Sequence, residues 1–376
     1  MTIFITPPEA QVSIQSRFTI PFTIALTALL ALFLGDVARA QTPVSIYGAW
    51  LCSNDGCGWG TVRNMTDFDH ANHWLIDRGD GSGLPSVNVV SLSFVNPLKL
   101  LNLTNDSATM NGIPIGMTSQ VVSYFTSHGV RVMLSIGGIT YTSDWDTALS
   151  TNATQLGLNA AAAAQSLGVG VEIDYENTSS PNLTGLQAFV TAYRSQIPYD
   201  ATGNYAPARL TIDLGAGDQY LTDISRYATQ NWLQTSNPVL DYGIAMVPNK
   251  QPTSASSAEG NWQQHITGKA NYAPPVPPLA PAKLAVSLYI VTGKNPAPEC
   301  TNFSASLEDS TGNWVQTVAP DGAGTTSGVL GYMFWAAECP STRNVCTTPP
   351  NSCQGGVGVG ATTYKIPIPM PALRQQ

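Results

Sequence analysis

Three carboxylates stand at alternate positions in the stretch "GVGVEIDYEN": Glu172, Asp174 and Glu176, within an otherwise apolar run rich in β-formers. In a strand, side chains alternate between faces, so these three share one face while Val171, Ile173 and Tyr175 share the other. Carboxylates held close together cannot all ionise cheaply, and burial pushes the same way. At least one then keeps its proton near neutral pH, which is the requirement for a general acid. The competing explanation for an acidic strand face is a solvated edge, or a counterweight to buried Lys or Arg. No basic residue lies nearby in the sequence, which favours chemistry.

The elements that must position these groups are read from apolar, β-branched runs bounded by turn residues. Eight such runs predict strands at 44–50, 87–95, 131–138, 168–176, 209–216, 241–247, 283–290 and 329–335. They recur roughly every 35 to 45 residues, the spacing of βα units rather than of hairpins. Helical patterns lie between them. "TSQVVSYFTSHG" has a Ser/Thr start and a Gly stop, "NATQLGLNAAAAAQSLG" carries an alanine run, and "SPNLTGLQAFVTAYRSQIP" closes before Pro198. Eight strands alternating with helices predict an α/β fold, a single-domain (β/α)8 TIM barrel. A doubly wound sheet is the competitor, but neither a Gly-rich fingerprint after the first strand nor a P-loop is present. In a barrel the chemistry sits at the C-terminal ends of the strands, where "EIDYE" ends the fourth. Such a strand has no solvated edge.

Composition narrows the function class. Only 11% of the 376 residues are charged and the formal net charge is -8, so the chain lacks the basic stripe that nucleic-acid binding needs. An apolar run ending in "DVARAQ" presents Ala38 and Ala40 to a signal peptidase, and residues 1–40 are read as a cleaved signal peptide rather than a membrane anchor. The mature protein is therefore expected to be secreted, with no membrane association after cleavage and as a monomer. The barrel is assigned to 41–338 and a Cys-containing tail, packed on the barrel or trailing from it, to 339–376. All six cysteines lie in the mature part, consistent with disulfides, for which fifteen pairings exist. Cys52 with Cys57 is the local candidate.

Other features read as structural. His70 and His73 lack evident partner ligands, so no metal site is expected, and the cysteine spacings match no common zinc pattern. His128, before Gly129, reads as a helix C-terminal residue. Ser135 lies in no Gly-x-Ser-x-Gly elbow, which argues against a serine hydrolase. Trp50 and Trp335 end strands and are candidates for stacking sugars, whereas Trp74, Trp232 and Trp314 read equally well as core.

In combination, "LSIGG" on strand three, "EIDYE" on strand four, "VSLSFVNP" on strand two and "GYMFW" on strand eight resemble the chitinases of glycoside hydrolase family 18. The likeness is greatest to the single-barrel, plant-type branch, and it runs from about Ile46 to Trp335. It implies that Glu176 donates the proton to the glycosidic oxygen. Asp174 orients the acetamido group and stabilises the oxazolinium-type intermediate, with Glu172 sharing charge behind it. Trp335 is the aromatic floor for the sugar, and Met246, Asn249, Asp213, Tyr47 and Ser135 are the further substrate-binding candidates. For Asp213 a purely structural hydrogen-bonding role is the other reading.

The resemblance also implies a retaining reaction in which the acetamido oxygen of the substrate, not an enzyme carboxylate, attacks the anomeric carbon, with no cofactor. Two positions depart from the family pattern. Val169 replaces its first Asp, and Pro248 stands where a Tyr hydroxyl holds the acetamido carbonyl; proline has no group to donate. Two functions are thus expected to compete. One is a hydrolase of β-1,4-linked N-acetylglucosamine polymers, either chitin or the core of N-glycans. The other is a weak or inactive chitinase-like lectin or inhibitor. Seven Asn-x-Ser/Thr sequons are present, and Asn177, next to Glu176, is expected to carry no glycan because one would obstruct the cleft.

Overall fold

The computed structural model describes residues 44–52, 64–246, 254–289, 305–319, 328–335, 337 and 352–373. All belong to one compact unit, Gln41–Gln376. The six cysteine side chains, Pro248, Asn249 and residues 1–43 lie outside this description.

Eight parallel strands close into a barrel: β1 (Ile46–Cys52), β2 (Val89–Val95), β3 (Arg131–Gly137), β4 (Gly170–Asp174), β5 (Leu210–Asp213), β6 (Gly243–Ala245), β7 (Leu284–Tyr289) and β8 (Gly331–Trp335). Each pairs with its sequence neighbours, and β8 returns to β1. All eight runs singled out in the sequence form these strands, because β-branched residues fit a pleated surface covered on both faces. The outer residues of β4, Val171 and Ile173, join the large core beneath the helices, together with Leu134, Ile136 and Ile212. A second, smaller cluster fills the barrel, with Ile46, Val89, Met133, Ile244 and Met333.

The helices among the described residues are α1 (Met65–Ile76), α2 (Pro97–Leu101), α3 (Ser119–Thr126), α4 (Thr142–Leu167), α5 (Leu183–Gln196), α6 (Thr222–Asn231), α7 (Ala255–Thr267), α8 (Ala305–Thr317) and α9 (Ser352–Thr363). Polar side chains start several of them: Thr118 accepts from the Val121 N–H and Asn182 from the Gly185 N–H. Helix α4 begins ten residues before the alanine-rich pattern. Asn152 interrupts it with φ -161° and ψ 78°, and its side chain caps the second segment by accepting from the Gln155 N–H at 3.0 Å. The helix packs against α5 on either side of this kink, and Gly157 permits the approach: a Cβ there would lie 2.3 Å from the Phe189 carbonyl oxygen.

The tail does more than trail. After α9 the chain crosses the N-terminal end of the barrel, where Asn88 donates to the Pro367 carbonyl at 3.1 Å and Met370 and Leu373 join the interior cluster. Near that end a charged group surrounds Asp241, which receives Arg209 and, at 3.6 Å, Arg194, while Lys283 donates to its backbone carbonyl at 3.1 Å.

Candidate active site

Alternation along the strands decides which side chains enter the barrel. On β4, Glu172 and Asp174 face inward and are buried, and Glu176 follows at the mouth, partly open. On β3 the register sets Ser135 opposite Glu172 and Gly137 opposite Asp174. On β5, Thr211 lies opposite Glu172, which puts Asp213 one step further up, beside Asp174. Gly137 is required by its surroundings: with φ +120° it lets the Asp174 carbonyl approach to 1.9 Å of where a Cβ would stand. That carbonyl accepts from the Gly138 N–H and from the Trp145 indole at 3.1 Å, so the ends of β3 and β4 are tied together directly beneath the mouth.

The carboxylates are held differently. Glu172 accepts from the Trp50 indole N–H at 2.7 Å and from the Ser91 hydroxyl at 3.2 Å. Burial pushes its pKa up, and the Ser135, Trp50 and Ser91 side chains pull back. Asp174 is pushed well above the usual carboxylate range by burial first, then by the charges of Glu176 and Glu172. Glu176 is raised to about 7, mainly by burial, against the opposing Ile139 N–H and the Asp174 side chain. The Gln219 amide holds its second oxygen. Asp213 is fully buried and pushed well up by burial and by Glu172, Asp174 and Glu176. Among the described residues, no Lys or Arg is a cause of the shift at any of the four.

Aromatic residues line the opposite wall. Trp335, half-buried, stacks on Phe94 with ring centroids 5.4 Å apart and meets Trp50 edge-on at 6.3 Å. Met246 packs against the same interior cluster. Thus Glu172, Asp174, Glu176, Asp213, Ser135, Met246 and Trp335 all converge on one end of the barrel. Asn249 lies outside the described residues.

Tyr47 does not reach this site. It points outward from β1 into the layer between barrel and helices, where its one hydroxyl proton is shared between the Glu308 carboxyl at 2.5 Å and the Val357 carbonyl at 2.8 Å. The reason is parity: Ile46, Gly48 and Trp50 hold the inward positions of β1. Trp50 likewise offers no open stacking face. It is 3% exposed and serves Glu172. Gln219, which sequence reading missed, sits on a short 3-10 turn after β5, and its only signal was a place in a loop at the catalytic end. No group of His, Cys, Asp and Glu that could hold a metal occurs among the described residues. His73 instead pairs with Asp69 at 3.0 Å on α1.

Comparison with solved structures finds the same architecture. A GH18 chitinase from Pseudoalteromonas aurantia superposes with a TM-score of 0.52 at 14% identity, covering 85% of this chain and 100% of that one. The chain shares the closed (β/α)8 barrel of that chitinase. At this identity the likeness shows the fold alone. Two chitinases bound to allosamidin are also similar. One is the group IV enzyme of Ostrinia furnacalis, with 10% identity, 85% and 99% coverage and a TM-score of 0.47. The other, from Cycas revoluta, has 12% identity, 85% and 99% coverage and a TM-score of 0.45. No family model matches the sequence. No curated protein matches it either. The likeness is one of backbone, and the chemistry rests on the side chains.

Proposed function

We propose that the protein is a secreted glycoside hydrolase that cleaves β-1,4-linked N-acetylglucosamine polymers, chitin or chitooligosaccharides, by a substrate-assisted retaining reaction. The observation that carries this reading is Glu176: a carboxyl at the mouth of the barrel, raised to about 7, hydrogen-bonded to Asp174 below it and held on its other oxygen by Gln219. A group with that pKa is protonated enough at neutral pH to donate to a glycosidic oxygen and basic enough afterwards to activate water.

Asp174, buried beneath, accepts the acetamido N–H and so turns the carbonyl oxygen of that group toward the anomeric carbon. The carbonyl oxygen attacks as Glu176 protonates the departing oxygen, and the resulting ring intermediate is positive. The surrounding acidic groups favour it. Water activated by Glu176 then opens the intermediate with net retention. Trp335 supplies a flat apolar surface for the sugar ring. No metal or organic cofactor enters any of these steps.

The test uses the mature chain and Glu176→Gln with fluorogenic chitooligosaccharides and with an N-glycoprotein. Cleavage of the chitooligosaccharide by the wild type, reduced at least 100-fold in the variant, is the expected outcome. Release of the glycan instead assigns the substrate to N-glycan cores. Retention on chitin without any cleavage overturns the hydrolase reading in favour of a lectin.

A further inference from the structure

The loop after β5 is clamped along its length. Three successive carbonyls at its start are all taken: Leu214 accepts from the Leu221 N–H at 3.1 Å and from the Ser225 hydroxyl at 3.0 Å, Gly215 from His265 at 2.7 Å, and Ala216 from the Gln219 N–H at 3.2 Å. A carbonyl can only accept, so Nε2 of His265 carries the proton. Burial lowers the pKa of this ring to about 4, which leaves it uncharged at neutral pH, and the Tyr220 ring stacks on it at 4.7 Å. The turn closes tightly because Gly215, at φ +65°, has no side chain: a Cβ would lie 2.2 Å from the Gln219 carbonyl oxygen. What this loop carries to the barrel mouth is the half-buried side chain of Gln219.

The Gln219 amide donates to Oε2 of Glu176. A donor on a carboxyl oxygen favours the ionised form and restrains rotation of the group. A Lys or Arg in this place would also hold Glu176, but its charge would keep the carboxyl ionised at neutral pH and remove the proton that a general acid needs. A neutral amide gives direction with a smaller pull on the proton. We infer that Gln219 is the positioning residue of Glu176: a neutral donor, carried in by the clamped loop after β5, that fixes the rotamer of this carboxyl and favours its ionised form. This rests on the proposed function for the role of Glu176 as acid and base, not for the hold itself.

The other groups around Glu176 come from different directions. Its own strand brings Asp174, hydrogen-bonded to it, and Glu172 deeper in the barrel; β5 brings Asp213, and the turn after β3 brings the Ile139 N–H. The bonds from Asp174 and Ile139 thus belong to the tied ends of β3 and β4, and Gln219 adds the restraint from the β5 side. Lys269 is held over the Tyr220 ring at 3.9 Å and is not among the groups that shift Glu176. The wall formed by Phe94 and Trp335 carries no charge.

The experiment follows the side-chain carboxyls directly, by NMR titration from pH 5 to pH 10 of the chain labelled with carbon-13 at glutamate Cδ. The sequence holds only seven glutamates, so the spectrum is sparse, and the Glu176 signal is assigned by its absence in Glu176→Gln. Gln219→Met keeps the length of the side chain without the donor, and Gln219→Ala removes both. In each, Glu176 is expected to titrate about half a unit to one unit higher than in wild type, the worth of one hydrogen bond. Glu308 on α8, raised to about 8 by burial, serves as the internal control and is expected to stay where it is. No rise in either variant overturns the inference. So does a rise confined to one of them, which assigns the effect to bulk, and so does an equal move of Glu308, which marks a change of fold. If the Met variant does not fold, the Ala variant decides alone. With chitooligosaccharide as substrate, the alkaline limb of kcat/KM is expected to move up by the same amount while kcat falls threefold or more. A shifted Glu176 in a protein that cleaves nothing sinks the hydrolase reading and leaves the hold standing; cleavage with an unshifted Glu176 does the reverse.

Discussion

At the scale of single residues, the site works by withholding compensation. Four carboxyls meet with no cation among the described groups that act on them, and burial pushes the pKa of each upward. The sign of the pH dependence follows. Glu176 donates only while protonated, so cleavage is expected to fall as pH rises through about 7, and a kcat/KM profile between pH 5 and pH 9 checks this. Glu172 is the exception, because Trp50 and Ser91 both donate to it. Replacing Trp50 with Phe removes one donor from a buried acid, a loss of order 1–3 kcal/mol. The expected result is a lower melting temperature in Trp50→Phe than in Trp335→Phe, read by calorimetry. Asn177 adds a constraint at the same scale. Its Nδ2 donates to both oxygens of Asp146 at 3.1 Å, so a glycan there disrupts a contact that supports Tyr175 as well. Mass spectrometry of the protein from a glycosylating host is expected to find this sequon bare.

At the scale of elements, positions are set where strands and helices end. The tie between β3 and β4 needs Gly137, since any side chain would meet the Asp174 carbonyl. Helix α4 shows how a local signal was legible and yet incomplete. The alanine-rich half starting at Asn152 is visible in the sequence, and Asn152 indeed caps it. The preceding segment lacks strong propensity and is held by Trp145, which is buried against Tyr175 and Phe189. Tertiary packing overrides a weak propensity there. Asn152→Ala is expected to cost about 1 kcal/mol through the lost cap, read as a shift of the denaturation midpoint without a change in its slope.

At the scale of the whole molecule, the described tail covers the N-terminal end of the barrel. Met370 and Leu373 plug the end opposite the cleft, each contributing about 1.5–3 kcal/mol if fully buried. Removing residues 364–376 is therefore expected to lower the unfolding midpoint while a correctly formed cleft still binds chitooligosaccharide. Calorimetry together with a binding titration checks both halves of that statement. The sequence alone could place strands, their order and the acidic face of β4, because those depend on alternation and on apolar runs, which are local. It also carried the resemblance to family 18, which the fold bears out. Contacts between distant segments were beyond it. Whether Tyr47 points in or out depends on the phase of β1 against β8, and the hold of Gln219 on Glu176 spans 43 positions. That no described residue hydrogen-bonds to the Asp213 carboxyl depends on what the other strands bring to it. Periodicity determines which face a side chain takes, but only closure of the barrel decides what that face meets.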